Sequence, residues 1–362
     1  MGTRRGFTLD QVMVKFGGRI AVKILVTCGA GFIGSKFVRY LLHARRDVEL
    51  FDFDKLTYAG NIENLVEVAQ DPRYHFVRGD IADKLALDEI FQHGFNAIVH
   101  FAAETHVDRS IEDASPFLKT NILGTHCLLD AARRFHGMRF IHISTDEVYG
   151  SAPAGVNFTE GAALDPRSPY AASKASAEHL VTAYANTFGV SAVILRCTNN
   201  FGPFQFPEKL IPLMVANALE NKPLPIYGDG LQERDWLFAE DFCRAIDLAL
   251  AKAPAGAVYN VSAGEPQANL KIVRTILEHL DKPETLIQHV KDRPGHDRRY
   301  ALDSSKIRRE LGWTRRITFE DGIRRTIKWY QANTGWLDHA RSGEYRNYYD
   351  RHYIHRSETF RT

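Results

Sequence analysis

The chain reads as an α/β protein, a doubly wound parallel sheet with a smaller C-terminal α/β lobe. Three observations predict this. Short apolar runs rich in β-branched residues alternate with helical patterns through the first half. A glycine-rich turn follows the first run and opens a helix. Polar residues of catalytic type then gather after the later runs, where ligands bind in open α/β sheets. With 362 residues, 44% of them hydrophobic, the chain can bury a large core in one large or two intimately joined domains.

Residues 1–21 carry Arg4, Arg5, Lys15 and Arg19 but no apolar segment of signal-peptide type, so they are expected to form a leader outside the core. A translation start nearer Met13 is a second reading of that stretch. Lys23-Ile24-Leu25-Val26-Thr27 is the first strand, and Cys28-Gly29-Ala30-Gly31-Phe32-Ile33-Gly34-Ser35 the turn into a helix. Strand, glycine turn and helix form the context in which backbone amides approach a pyrophosphate, a Rossmann-like arrangement. Val48–Asp54 is the second strand, and Asp54 lies 20 residues beyond Gly34. A carboxylate there accepts from ribose hydroxyls and repels a 2′-phosphate, which favours NAD over NADP. A solvated loop acid is the plain alternative.

The rhythm continues through Tyr74-His75-Phe76-Val77, ahead of Asp80 and Ile81, and through Ala97–Phe101, ahead of Ala102 and Ala103. Asp80 is placed to reach the adenine edge. The two alanines leave room for a cofactor or serve tight helix–strand packing. Arg139–Ser144 is a further strand, followed directly by Thr145-Asp146-Glu147. Downstream, Tyr170 and Lys174 stand at i, i+4, one turn apart on one helical face. A lysine there favours the tyrosinate, so the phenol is expected to have a lowered pKa and act as a base. That pair suits hydride chemistry on an alcohol. The adjacent Asp and Glu offer a second acid and base, which suggests an oxidation coupled to an elimination, although two acids at a strand end also serve as caps.

Beyond Asn199, Pro203, Pro207, Pro212, Pro223 and Pro225 mark loops, and 267–280 and 319–331 are amphipathic helical patterns. The stretch from Ser342 to Tyr353 is expected to pack on the body, and 354–362 to be disordered. Forty-six basic and 44 acidic residues give a net charge of +2, which argues against a general nucleic-acid or membrane binder. Cys28, Cys127, Cys197 and Cys243 have no metal-ligand spacing and read as reduced thiols of a cytoplasmic protein.

Several segments resemble the extended short-chain dehydrogenase/reductases and, within them, the dTDP-glucose 4,6-dehydratase family: the 27–35 turn, 54–61, AAETHVDRSI from Ala102, STDEVYG from Ser144, YAASK from Tyr170, NNFGPFQFPEKLIP from Asn199, RDW from Arg234 and DRPGHD from Asp292. The resemblance spans roughly 22–350. It implies an NAD-binding domain at 22–200 and a nucleotide-sugar domain at 201–350, with some interleaving. It implies that Tyr170, with Lys174, deprotonates the 4-hydroxyl and that Thr145 bonds that hydroxyl. Glu147 would take the carbon 5 proton, and a protonated Asp146 would release the 6-hydroxyl. For NAD it points to Gly31, Phe32, Ile33, Gly34, Asp54, Lys55, Thr57, Asp80, Ile81, Phe101, Ala102, Ala103, Thr120 and Asn200, besides Tyr170 and Lys174. For dTDP-glucose it points to Thr105, Asn199, Glu208, Lys209, Leu210, Pro225, Ile226, Tyr227, Arg234, Asn260, Arg293 and His296, besides Thr145. No metal is implied. A homodimer is, through a four-helix bundle built from about 116–135 and 173–188.

Cys28 departs from the family's usual glycine. If the position needs positive φ, the cysteine costs roughly 1 kcal/mol; a reactive, low-pKa thiol at a helix N-terminus is a second reading. Rival functions remain: a UDP-linked 4,6-dehydratase, a nucleotide-sugar epimerase or decarboxylase, and a silent NAD-binding protein. An epimerase has no need of the adjacent acids, and a decarboxylase is expected to lack the Asp.

Overall fold

The computed structural model describes residues 22–342. The expectations for the leader at 1–21 and for the tail beyond Ser342 fall outside those residues. Six strands follow in order: β1 (Val22–Thr27), β2 (Val48–Asp54), β3 (Tyr74–Arg78), β4 (Ala97–His100), β5 (Arg139–Thr145) and β6 (Ser191–Cys197). They lie in one sheet with the strand Val258–Val261, and from that edge the order is Val258–Val261, β6, β5, β4, β1, β2, β3. Every pairing is parallel. Chain order reverses between β1 and β4, so a crevice opens at their carboxyl ends, beyond Thr27 and His100.

Alternation sorts the core. Ile24 and Val26 of β1 face helices Phe32–Ala44 and Ala239–Lys252, packing with Phe37, Leu41 and Phe242. Leu25 faces the other layer, with Leu87, Leu128 and Val181 from helices Lys84–Phe91, Thr125–Arg134 and Pro169–Phe188. The last of these helices is well delimited. Ser168 accepts from the Ala171 amide, Pro169 occupies the first turn, and Gly189 ends the helix at φ 71°.

The second lobe has its own core, in which Phe201, Met214, Ile276, Ile323 and Tyr330 meet. Helices Leu210–Leu219, Asn269–Leu280 and Phe319–Ala332 pack on one another, and the first of them packs on strand Leu224–Tyr227, which pairs in parallel with Ile287–Val290. The helix expected from residue 267 begins two residues later, because Gln267–Ala268 pairs as a strand with Glu233–Arg234. The chain crosses between the lobes: Asn199–Phe201 pairs with Trp236–Phe238, after which helix Ala239–Lys252 and strand Val258–Val261 return to the large sheet. This crossing leaves the cleft between the lobes walled by both.

The glycine turn is tight. A Cβ on Gly34 would stand 2.1 Å from the Cys28 carbonyl oxygen, and one on Gly29 2.3 Å from Asp52. Cys28 itself sits at φ 63°, the left-handed region that glycine tolerates. Cys28→Gly is therefore expected to raise stability by about 0.5–1 kcal/mol, since the strain removed exceeds the added chain entropy. Urea unfolding of the two proteins checks it; a destabilised glycine variant would show that thiol packing outweighs backbone strain.

Candidate active site

Thr145 closes β5 in an extended conformation, and its Oγ1 accepts from the Glu147 amide at 3.3 Å, capping the short 3-10 turn Asp146–Tyr149. The turn sets the two acids differently. Asp146 is only 3% exposed, and its Oδ2 has no hydrogen-bond partner among the described residues. Burial first, and the Glu147 charge second, push its pKa up to about 8, so it stays protonated near neutrality. Glu147 lines the cleft. Burial raises its pKa too, an effect that the charges of Arg293, Arg234 and Lys209 offset only in part.

Tyr170 and Lys174 are both buried on helix Pro169–Phe188. The Tyr170 amide donates to Ser110 Oγ at 3.2 Å, and Lys174 Nζ donates to the Ile143 carbonyl at 2.7 Å. The expected lowering of the tyrosine pKa is not what the protein's own groups produce. Burial first, then the Glu147 charge, hold the phenol well above its ordinary value. Burial also brings Lys174 down to about 8. Burial is the main reason, with the Glu147 charge added to it, while Lys174 is turned to the Ile143 carbonyl.

At the crevice, Asp54 braces the glycine turn: its carboxylate accepts from the Ala30 amide at 3.0 Å and the Leu56 amide at 2.8 Å. Lys55 pairs with Asp80 at 2.9 Å, Thr57 is exposed beyond it, and Ile81 is buried. Thr27 Oγ1 ties the two central strands together, meeting His100 Nδ1 at 2.9 Å and accepting from the Ala102 amide at 3.1 Å. Phe101, Ala102 and Ala103 are half-buried there, and Thr120 lies half-buried in the π-helical stretch Leu118–Gly124. Asn200 is 8% exposed, with its Oδ1 unbonded among the described residues. A turn with no room for side chains at Gly29 and Gly34, an acid behind it and an unsatisfied amide oxygen fit a dinucleotide such as NAD. The alternative of a reactive Cys28 is overturned: burial and the charges of Asp54, Asp52 and Glu104 drive its thiol pKa well up.

The cleft beyond Glu147 gathers most of the expected substrate residues. Thr105, Asn199, Glu208, Lys209 and Leu210 line it. Pro225, Ile226, Tyr227, Arg234, Arg293 and His296 line it as well. Lys209 Nζ donates to the Thr105 carbonyl at 2.8 Å. Arg234 is fixed by donating to the carbonyls of Glu233 at 2.7 Å and Asp297 at 2.9 Å, with its guanidinium 4.1 Å from the Tyr300 ring centre. Arg293 lies 3.4 Å from Asp108, which also accepts from Tyr227 at 2.6 Å. Three cations in one cleft suit a diphosphate. Glu208 has a different task, accepting from Tyr58 at 3.0 Å and Arg109 at 3.3 Å.

One expected residue is elsewhere. Asn260 is fully buried in strand Val258–Val261, where its Oδ1 accepts from Tyr149 at 2.9 Å and its Nδ2 donates to Phe158 at 2.9 Å, so its amide is committed to the fold. Asn269 does line the cleft, with its Oδ1 unbonded among the described residues. Sequence reading also missed Tyr300, Asp108 and Trp236 in the lining. Among the described residues no group of three or more His, Cys, Asp or Glu is placed to hold a metal, and no helix is long and apolar enough to cross a membrane.

A family model described as GDP-mannose 4,6 dehydratase matches residues 25–326. A dTDP-glucose 4,6-dehydratase from Neisseria meningitidis serogroup B is 51% identical, across 90% of this chain and 97% of that protein. One from Streptomyces niveus is 48% identical across 89% and 96%. A crystal structure of DesIV, a dTDP-glucose 4,6-dehydratase from Streptomyces venezuelae with NAD and TYD bound, aligns with a TM-score of 0.86 at 48% identity, covering 88% of this chain and all of that one. A UDP-glucose 4-epimerase from Thermus thermophilus in complex with NAD aligns at 0.80 and 32% identity, covering 86% and 100%.

Proposed function

This chain belongs to the dTDP-glucose 4,6-dehydratase family, and we propose on that premise that it converts dTDP-glucose to dTDP-4-keto-6-deoxyglucose. Carbon 4 is oxidised, water is lost across carbons 5 and 6, and hydride returns to carbon 6. The observation that carries this reading is the pair of unequal acids, a buried Asp146 held protonated beside a Glu147 that opens on the cleft. The epimerase neighbour shares the fold, so fold alone does not separate the two reactions; an elimination needs an acid and a base, and the turn after β5 provides them.

NAD, when bound at the crevice, supplies the acceptor and later the donor of hydride. The chain's own residues manage the protons. Tyr170 would take the proton of the 4-hydroxyl as its tyrosinate, a form that Lys174 and the positive nicotinamide of bound NAD would favour against the burial and the Glu147 charge that raise its pKa here. Thr145, at the end of β5, holds the 4-hydroxyl oxygen and then polarises the ketone. The ketone acidifies the hydrogen on carbon 5. Glu147 removes it, and Asp146 gives its proton to the departing 6-hydroxyl. Lys209, Arg234 and Arg293 hold the diphosphate, and Asn269 rather than Asn260 lines the cleft. A test is to compare turnover of dTDP-glucose and UDP-glucose and weigh the product. Loss of one water from dTDP-glucose supports the reading; an isomer of unchanged mass favours an epimerase.

Asp146 makes the reaction pH-dependent. An acid must carry its proton, and that proton is lost as pH rises through about 8, so turnover is expected to fall there. The stability sign follows. The folded state holds this proton more tightly than the unfolded chain, so the folded state loses stability as pH rises between about 4 and about 8. Asp146→Asn should melt above the wild type at alkaline pH and lose that advantage in acid. Thermal melts across this range check the sign, and a variant that melts lower at alkaline pH would reverse it.

The proposal includes a homodimer. Leu118, Leu123, Phe135 and Phe188 are 52%, 46%, 36% and 50% exposed on the stretches expected to form a four-helix bundle. Light scattering should give twice the monomer mass at micromolar concentration, and Leu123→Asp should shift it toward monomer; a monomeric wild type contradicts the arrangement. Four cysteines without a disulfide suit the reducing cytoplasm, where we place the protein.

A further inference from the structure

Glu147 must lose the proton it takes from carbon 5 if that hydrogen is to exchange during turnover. Behind it stands Tyr300, 4% exposed, with its hydroxyl 3.4 Å from Glu147 Oε2 and 2.8 Å from Asp297 Oδ2. A phenol has one proton and lone pairs to accept with. The shorter contact takes the Tyr300 proton toward Asp297, which leaves an oxygen lone pair facing Glu147. Once Glu147 is protonated, it becomes the donor in the longer contact. Burial first, and the Glu147 charge second, hold the phenol well above its ordinary pKa, so it hands protons on as a neutral group.

The line continues outward. Asp297 is 6% exposed, and its second oxygen is buried and makes no hydrogen bond among the described residues but lies 3.8 Å from Arg167 Nε, on the side where the chain meets solvent through Arg167. The Arg167 side chain is 55% exposed. Arg234 fixes both relay groups, through the Asp297 carbonyl at 2.9 Å and the Tyr300 ring at 4.1 Å.

We propose that Tyr300 and Asp297 carry the Glu147 proton to solvent beside Arg167. The inference rests on the dehydratase reading. The step balances without redox change. The Glu147 O–H bond breaks as its proton passes to the Tyr300 oxygen; the Tyr300 O–H bond breaks as its proton passes to Asp297; and Asp297 yields a proton to water. The reverse sequence reloads Glu147 from solvent. Tyr300 and Asp297 act through Glu147 and are positioning and relay residues.

The test is turnover of dTDP-glucose in heavy water by the full chain, with the hydrogen at carbon 5 of the product read by NMR. The wild type should place solvent deuterium there. Asp297→Asn and Tyr300→Phe should turn over several-fold more slowly and return much of the substrate's own hydrogen to carbon 5. Arg167→Ala, at an exposed side chain, should show the same retention in part. A merely structural role slows the reaction without changing where that hydrogen comes from. The relay is overturned if any variant that turns over still draws the carbon 5 hydrogen wholly from solvent, or if the wild type itself retains it. It is also overturned if the two buried variants are inactive while Arg167→Ala exchanges fully. Absence of 4-keto-6-deoxy product from the wild type is a different failure, that of the dehydratase reading.

Discussion

Tyr170→Phe and Glu147→Gln are expected to lose about 100-fold or more in turnover each, and to fail at different steps. Tyr170 acts before any ketone exists. Without its hydroxyl, no reduced nicotinamide should form when substrate is added. Glu147 acts on a hydrogen that is acidic only after the ketone forms, so its amide replacement should still permit some oxidation. Rapid mixing should then show the near-ultraviolet absorbance of bound reduced nicotinamide, a 4-keto-glucose intermediate and little 6-deoxy product. Glu147→Gln making that product at a near-normal rate would undo the assignment of the acids. Complete silence in the absorbance, with no washout of deuterium from carbon 5, would move Glu147 to an earlier step.

Glu178→Ala should cost about 3–5 kcal/mol of stability, because it leaves a buried guanidinium without its partner. Glu178 is 2% exposed and accepts from Ser144 Oγ and, at 3.0 Å, from Arg196 Nε. Arg196 in turn donates to the Tyr149 hydroxyl, and Tyr149 to Asn260 at 2.9 Å. Ser144 precedes the catalytic turn and Tyr149 ends it, so the network clamps both sides of Asp146 and Glu147. Urea unfolding measures the loss. Replacing Glu178 and Arg196 together by apolar residues should cost much less than Glu178→Ala alone, since no charge is then stranded. A single-variant loss below about 1 kcal/mol would show that the network adds little.

The first half of the fold was legible because its signals are local. β-branched runs marked the parallel strands, and a cysteine standing where the family has glycine raised the question of a positive φ, which Cys28 adopts. The return of Val258–Val261 to the large sheet was not legible at the level of its pairing, since a four-residue strand carries no mark of its partner β6. Asn260 and Asn269 show the same limit at the site: two asparagines nine residues apart look alike until strand and helix fix which one faces the cleft. The Tyr170 pKa depends first on burial and then on a carboxylate brought near through space, so no i, i+4 rule contained it. Tyr300 lies just past the DRPGHD segment, and its value comes wholly from two neighbours seen only in three dimensions.

The central claim is oxidation and elimination joined in one redox-neutral turnover by this single site. The most direct measurement incubates the purified protein with dTDP-glucose while recording two signals together, the alkali-induced absorbance of a 4-keto-6-deoxy sugar and the absorbance of free reduced nicotinamide. The first should rise until substrate is consumed while the second does not accumulate. Reduced nicotinamide building up in proportion to product, or no alkali-induced absorbance at all, would contradict it.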